Sequence, residues 1–442
     1  KAFVDSLVRM RCNFIGFHTY DFEPFAAYEW EGSLAGGEPL ANTSQSTWGT
    51  YPLATEEFFA GTGRYFARDY FGAASSFVED RTEAILAAKE VLRQALTYAK
   101  ARGLRTCLGF ELSGDPMNID VQNRFEARLK ALLADYPMLD YVWLWQPEGM
   151  GAHPAESPAP RSQWESQAQR WAKEFAYLAE PERRTEAVRL ALFGKQAYQI
   201  LHAVRPDVTL VMSGWGGDQW LKCTDLYRGL DVVLPGDVVF SALDNIAVTP
   251  SVSEAYGSFG AERVRWPIVW FEYDGDQWMP QPNLRATAGA CRDALAKGCQ
   301  GLLGIHWRTR AVAESAAYCA QFAWNPDLTA ERFCGSYARH VFGQAAGEAM
   351  STYIVRLQDL GYRWVGGSGQ PECGRFTWSV GDKEKRAELT TIHRELQFEM
   401  DKKDFWPADL VAELPLPSIP LTARPRGRLA RNPSCPTRTA IP

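Results

Sequence analysis

Short apolar runs that end in a polar or acidic residue alternate along this chain with segments whose apolar positions recur at helical spacing. The clearest run is Leu139-Asp-Tyr-Val-Trp-Leu-Trp-Gln-Pro-Glu-Gly149, where aromatic and aliphatic residues lead straight into an acid and a glycine. Such a run reads as a buried parallel strand that delivers a carboxylate to its C-terminal end. Extended backbone puts alternate side chains on one face, so Gln146 and Glu148 are expected to point the same way, about 6–7 Å apart.

Comparable runs predict strands over 10–18, 105–112, 208–215, 237–245, 265–274 and 300–308. One more strand is expected near the end of 22–72, a Gly-, Thr- and aromatic-rich passage without periodicity that is too long for an ordinary connection and suits a substrate-facing loop. Helical periodicity covers 2–10, 79–101, 119–134, 163–178, 181–204, 284–297 and 312–322, and Gly103 and Gly298 supply C-cap signals.

Strands alternating with helices, each strand polar at its C-terminal end, predict an α/β fold, a (β/α)8 TIM-type barrel over residues 1–324. The competing doubly wound sheet lacks support, since no Gly-x-Gly-x-x-Gly follows a strand and no P-loop is present. A C-terminal helical appendage is expected over 325–421, with helices at 325–364 and 382–403 and Thr329 as an N-cap candidate. The Pro- and Arg-rich end, 422–442, is expected to be poorly ordered.

Composition narrows the function. A net charge of −6 supplies no basic field for phosphate backbones, so nucleic acid is excluded as the expected partner. No apolar run is long enough to span a membrane. The nine cysteines are odd in number and never spaced Cys-x-x-Cys, which predicts reduced thiols rather than a zinc site or disulfide framework and leans toward a cytoplasmic setting. The chain starts at Lys1 and runs directly into a helix, so an upstream segment is expected to have been removed or left out. No His-x-x-x-His or His-Glu-x-x-His occurs, so neither a zinc site nor a cofactor is expected, although acids from separate strands could still collect Mg²⁺ or Ca²⁺.

The 16 Trp, 17 Tyr and 23 Phe point instead to a carbohydrate substrate, because aromatic faces at a pocket match the apolar faces of sugar rings. Acids stand at four strand ends: Glu111, Glu148, Asp244, and Glu272 with Asp274 and Asp276. Glycosidic cleavage needs one acid to protonate the leaving oxygen and a second group to stabilise the oxocarbenium-like centre. Two arrangements fit: Glu148 as acid/base with Glu272 as nucleophile, or Glu148 with the substrate's own 2-acetamido group as nucleophile.

Arg9–Tyr20, Gln146-Pro147-Glu148, the aromatic stretch Trp266–Pro282 and Gly304-Ile-His-Trp-Arg-Thr-Arg310 resemble barrel-type glycoside hydrolases that act on N-acetylhexosamines. The general form is similar to the β-N-acetylgalactosaminidases and β-N-acetylhexosaminidases of environmental bacteria. The resemblance implies a retaining, substrate-assisted exo-hydrolase with Glu148 as acid/base and Gln146, where many relatives carry Asp, holding the acetamido group. Trp215, Trp270, Trp278 and Trp307 are candidates to box the sugar, and Tyr273 to hold the acetamido carbonyl. His18, Tyr20, Asp218, Asp244, Asn245, Asp274, Asp276 and His306 are candidates for hydroxyl recognition. Arg308 and Arg310 either clamp a sugar carboxylate, making a uronide the substrate, or form inter-strand salt bridges. A non-catalytic carbohydrate-binding barrel is the reading from another class.

Overall fold

The apolar runs fold as parallel strands, in chain order, with helices between them. The structure, a computed structural model, describes residues 1–19, 23–35, 81–147, 161–215, 223–244, 250–271, 284–305 and 313–364. Helix α1 (Ala2–Arg9) leads into β1 (Phe14–Thr19), and a short antiparallel hairpin, β2 (Tyr28–Trp30) with β3 (Ser33–Ala35), follows. Then come α2 (Arg81–Ala101), β4 (Arg105–Glu111), α3 (Ile119–Asp135), β5 (Tyr141–Gln146), α4 (Arg161–Arg170) and α5 (Pro181–Val204). The chain continues through β6 (Thr209–Gly214), α6 (Cys223–Val233), β7 (Val239–Phe240), β8 (Ile268–Trp270), α7 (Leu284–Ala296), β9 (Leu303–Ile305), α8 (Ala313–Trp324) and α9 (Ala330–Trp364).

Local signals set the boundaries. Gly103, at φ +86°, ends α2 with the Leu104 amide bonded back to Ala99, the left-handed cap a glycine adopts without penalty. The Asn118 side chain accepts from the Asp120 amide at the start of α3, and Pro181 occupies the first turn of α5. Thr329 caps α9 as expected, its hydroxyl accepting from the Arg332 amide, and Gly343 at φ +85° interrupts that helix.

The sheet order is β1-β4-β5-β6-β7, all parallel, and β8 pairs in parallel with β9. Amides of Trp266 and Ile268 bond Phe240 and Ala242 carbonyls, so the parallel pairing runs on from β7 toward β8. This is an α/β fold of the barrel type. Among the described residues no pairing of β9 with β1 closes it. Since β1 bonds directly to β4, Phe14 opposite Arg105, the strand expected near the end of 22–72 does not stand between them. Most of that passage, like the expected helix at 382–403 and the tail at 422–442, lies outside the described residues.

Alternation along each strand separates two apolar layers. Val142 and Leu144 of β5, Leu108 and Phe110 of β4, and Leu210 and Met212 of β6 pack outward against Leu129, Leu132, Leu190, Phe193, Leu226 and Leu230 of the helices. Cys107, Trp143, Trp145, Val211, Trp215, Val239, Leu243, Ile268 and Trp270 form the inner layer. The inner face is fitted large against small. The Trp143 indole covers Gly16 and Gly109, where an added Cβ would come within 2.5 Å and 1.9 Å of the ring. A third apolar cluster joins α7, α8 and α9 through Leu284, Cys291, Tyr318, Phe322, Phe333 and Ile354.

Candidate active site

Glu111 is the last residue of β4, and alternation from Cys107 places its carboxylate on the inner face at the C-terminal end of the strands. That end is where barrel enzymes assemble their chemistry. The Trp215 indole Nε1 donates to Glu111 Oε1 at 2.7 Å, and His18 Nε2 lies 3.5 Å from the same oxygen. No described residue bonds Oε2. The His18 and Glu111 side chains are only 11% and 13% exposed, so the contact is shielded while still reaching solvent.

Indoles surround this acid. The His18 ring lies 4.5 Å from Trp145 and 5.3 Å from Trp215, between centroids. Trp145 and Trp215 are 4.8 Å apart, and Trp215 and Trp270 are 6.5 Å apart. Tilted and edge-on pairs at these distances are each worth about 0.5–1.5 kcal/mol beyond area burial. A carboxylate with one oxygen held by the Trp215 indole, an imidazole beside it and a wall of indoles can accept hydroxyl hydrogen bonds while ring faces stack nearby.

Two expected site residues, Gln146 and Asp244, have buried protein partners. Gln146 shares the outer face with Val142 and Leu144 and is buried against Gly214, where an added Cβ would come within 2.6 Å of the Gln146 Cβ. Its Oε1 accepts from the Cys223 thiol at 3.0 Å. Burial, and then the charge of Asp244, push that thiol well above its usual range, so it stays a neutral donor. β5 ends at Gln146, and Glu148, the residue expected to share its face, lies outside the described residues.

Asp244 likewise takes the face opposite Leu243. Its carboxylate accepts from the Thr224 amide at 3.3 Å and from the Thr224 hydroxyl, which also meets Ser253 at 2.8 Å. A carboxylate at this position anchors the N-terminal turn of α6, where the helix dipole favours negative charge.

Of the other expected residues, His18, Trp215 and Trp270 come together on the inner face. Glu148, Glu272, Tyr20, Asp218, Asn245, Tyr273, Asp274, Asp276, Trp278, His306, Trp307 and Arg308, with Arg310, lie outside the described residues. Glu111 stands out more in the structure than in the sequence, where it is one of several strand-end acids. Helix α6 has no counterpart among the expected elements, although Cys223, Leu226, Tyr227 and Leu230 repeat at i, i+3, i+4 and i+7. Among the described residues no group of three His, Cys, Asp or Glu is arranged to hold a metal ion.

Neither a family profile nor a curated protein matches the chain. Solved structures do. An O-GlcNAc hydrolase mutant of Thermobaculum terrenum aligns with a TM-score of 0.41 at 14% identity, covering 72% of this chain and 67% of that one. An exo-β-agarase aligns at 0.37 and 8% identity, over 59% of this chain and half of its own. A β-galactosidase from the psychrophilic Marinomonas ef1 aligns at 0.36 and 11% identity, over 72% of this chain and 61% of its own.

Proposed function

We propose that the chain is a glycoside hydrolase whose substrate binds at the C-terminal mouth of the parallel strands. The observation that carries this reading is the Glu111 carboxylate, held by Trp215 and His18 beside Trp145 and Trp270. Indole faces suit the apolar faces of a pyranose, and the carboxylate and imidazole suit its hydroxyls. Glu148, two residues beyond the end of β5 in sequence, is the acid/base in this reading, and Glu111 contacts the substrate.

For the finer chemistry there are two versions. The resemblance to β-N-acetylhexosaminidases supports substrate-assisted cleavage of a β-N-acetylhexosaminide, with galactosamine as the preferred sugar. That version assigns the acetamido group to Gln146, and the packing of Gln146 against Cys223 and Gly214 weighs against it. The same observation favours the two-carboxylate version, with Glu148 as acid/base and Glu272 as nucleophile. Retention then goes with carboxyls about 5–5.5 Å apart.

A matched set of p-nitrophenyl β-glycosides tests both: N-acetylgalactosaminide, N-acetylglucosaminide, galactoside, glucoside and glucuronide. Cleavage of a plain galactoside, glucoside or glucuronide, abolished by Glu272→Gln, supports two carboxylates. Cleavage of acetamido sugars alone restores the substrate-assisted version. Sugar binding without any cleavage, unaffected by Glu148→Gln, leaves a carbohydrate-binding barrel.

A further inference from the structure

Taking the mouth as the substrate site, as proposed above, we infer that Arg189 of α5 is the positioning residue for Glu111. Arg189 Nη2 donates to the Leu112 carbonyl at 2.7 Å and Nε donates to the Gly114 carbonyl at 3.1 Å. Both acceptors lie in the loop that leaves β4 directly after Glu111. The third guanidinium nitrogen, Nη1, pairs with Glu186 at 2.9 Å, and the guanidinium carbon lies 5.2 Å from the Phe193 ring centroid. Arg189 and Glu186 are each 5% exposed, and Leu112 and Phe193 are buried as well, while Gly114 is half-buried.

Leu112 is thereby held from two directions: its amide donates to the Trp145 carbonyl at 2.8 Å and its own carbonyl accepts from Arg189. Glu111, one residue earlier, has its backbone set by the β5 register, opposite Trp145. Its carboxylate then falls where the Trp215 indole can donate. A planar fork can bind two carbonyls of one turn at once, and an ammonium on a flexible stem cannot do so in the same geometry. Arg189 touches neither Glu111 nor the mouth. It acts through the loop.

The test uses the full chain labelled with 15N at tryptophan, the Trp215 indole N–H signal being assigned with Trp215→Phe and its unbonded position with Glu111→Ala. In Arg189→Lys the Trp215 signal is expected to move toward the unbonded position, and kcat on the best glycoside to fall about tenfold or more with a smaller change in KM. A folded Arg189→Lys with an unmoved Trp215 signal and unchanged kcat overturns the assignment and leaves the ion pair a purely structural role. If Arg189→Lys does not fold, Glu186→Gln, which loosens the guanidinium but keeps its carbonyl bonds, is read by the same two signals. Should the unmutated protein cleave no glycoside, the hydrolase reading fails, while the Trp215 signal still decides the positioning role.

Discussion

Trp215, just beyond the end of β6, and Glu111, at the end of β4, meet at 2.7 Å although β5 separates the two strands in the sheet. The indole of Trp215 therefore reaches across the end of β5, over Trp145, to fix one carboxylate oxygen. Trp215→Phe keeps a ring in the wall and removes the donor. A hydrogen bond to a charged group is worth about 1.5–3 kcal/mol, so a loss of roughly 10- to 100-fold in kcat/KM is expected with little change in thermal midpoint. Steady-state kinetics and a melting curve check both halves.

Gln146→Leu separates the outer-face position from a substrate contact. Leucine fills much of the space between Gly214 and Cys223 and removes the nearer of the thiol's two acceptors, leaving the Trp215 carbonyl at 3.4 Å, at a cost of about 0.5–1.5 kcal/mol. Turnover is expected to persist in the variant with a lowered melting temperature. Loss of turnover on acetamido sugars alone, at unchanged stability, contradicts the outer-face assignment.

Gly109→Ala tests how the inner layer is filled. The new Cβ would lie 1.9 Å from both Trp143 Cδ1 and the Trp143 carbonyl oxygen, so ring and backbone must both yield. Overpacking costs about 1–3 kcal/mol where only side chains shift. Denaturant unfolding is expected to show a loss at or above the upper end of that range.

Asp140 governs a pH-dependent part of the stability at the opposite end of the strands. Burial alone raises its carboxyl, but Lys100, the Thr106 amide and Arg105 outweigh it and hold the group below the usual carboxylate range. A depressed folded-state pKa contributes stability that is present above the unfolded value, about 3.9, and is lost as pH falls through the folded value. Asp140→Asn is expected to be less stable than the unmutated chain at neutral pH, with the gap closing below about pH 4. A gap that stays constant across a pH series of melts contradicts this.

Fold and site differ in how far the residue pattern reveals them. Periodicity located β4, β5 and β6 within a residue or two because each is a continuous apolar run, buried on both faces, with a sharp polar end. The same burial hides which face a polar residue takes at the end of a run. The partners that hold Gln146 and Asp244, Cys223 and Thr224, start a helix that the strand pattern does not announce. The strand-end position marks Glu111 no more than the other acids; what sets it apart is His18 and Trp215, 93 and 104 residues away. The expected elements omit helix α6 although its apolar positions Cys223, Leu226, Tyr227 and Leu230 recur at helical spacing, and Gly229 within it lets the Phe175 ring approach.

The most direct test of the central claim compares p-nitrophenol release from the β-glycoside set by the unmutated chain and by Glu111→Gln, with circular dichroism and melting curves to confirm that both are folded. Cleavage of at least one glycoside by the unmutated chain, falling about 100-fold or more in folded Glu111→Gln, is the predicted result. No cleavage of any member of the set, or full activity in Glu111→Gln, would contradict a glycosidase site built around Glu111.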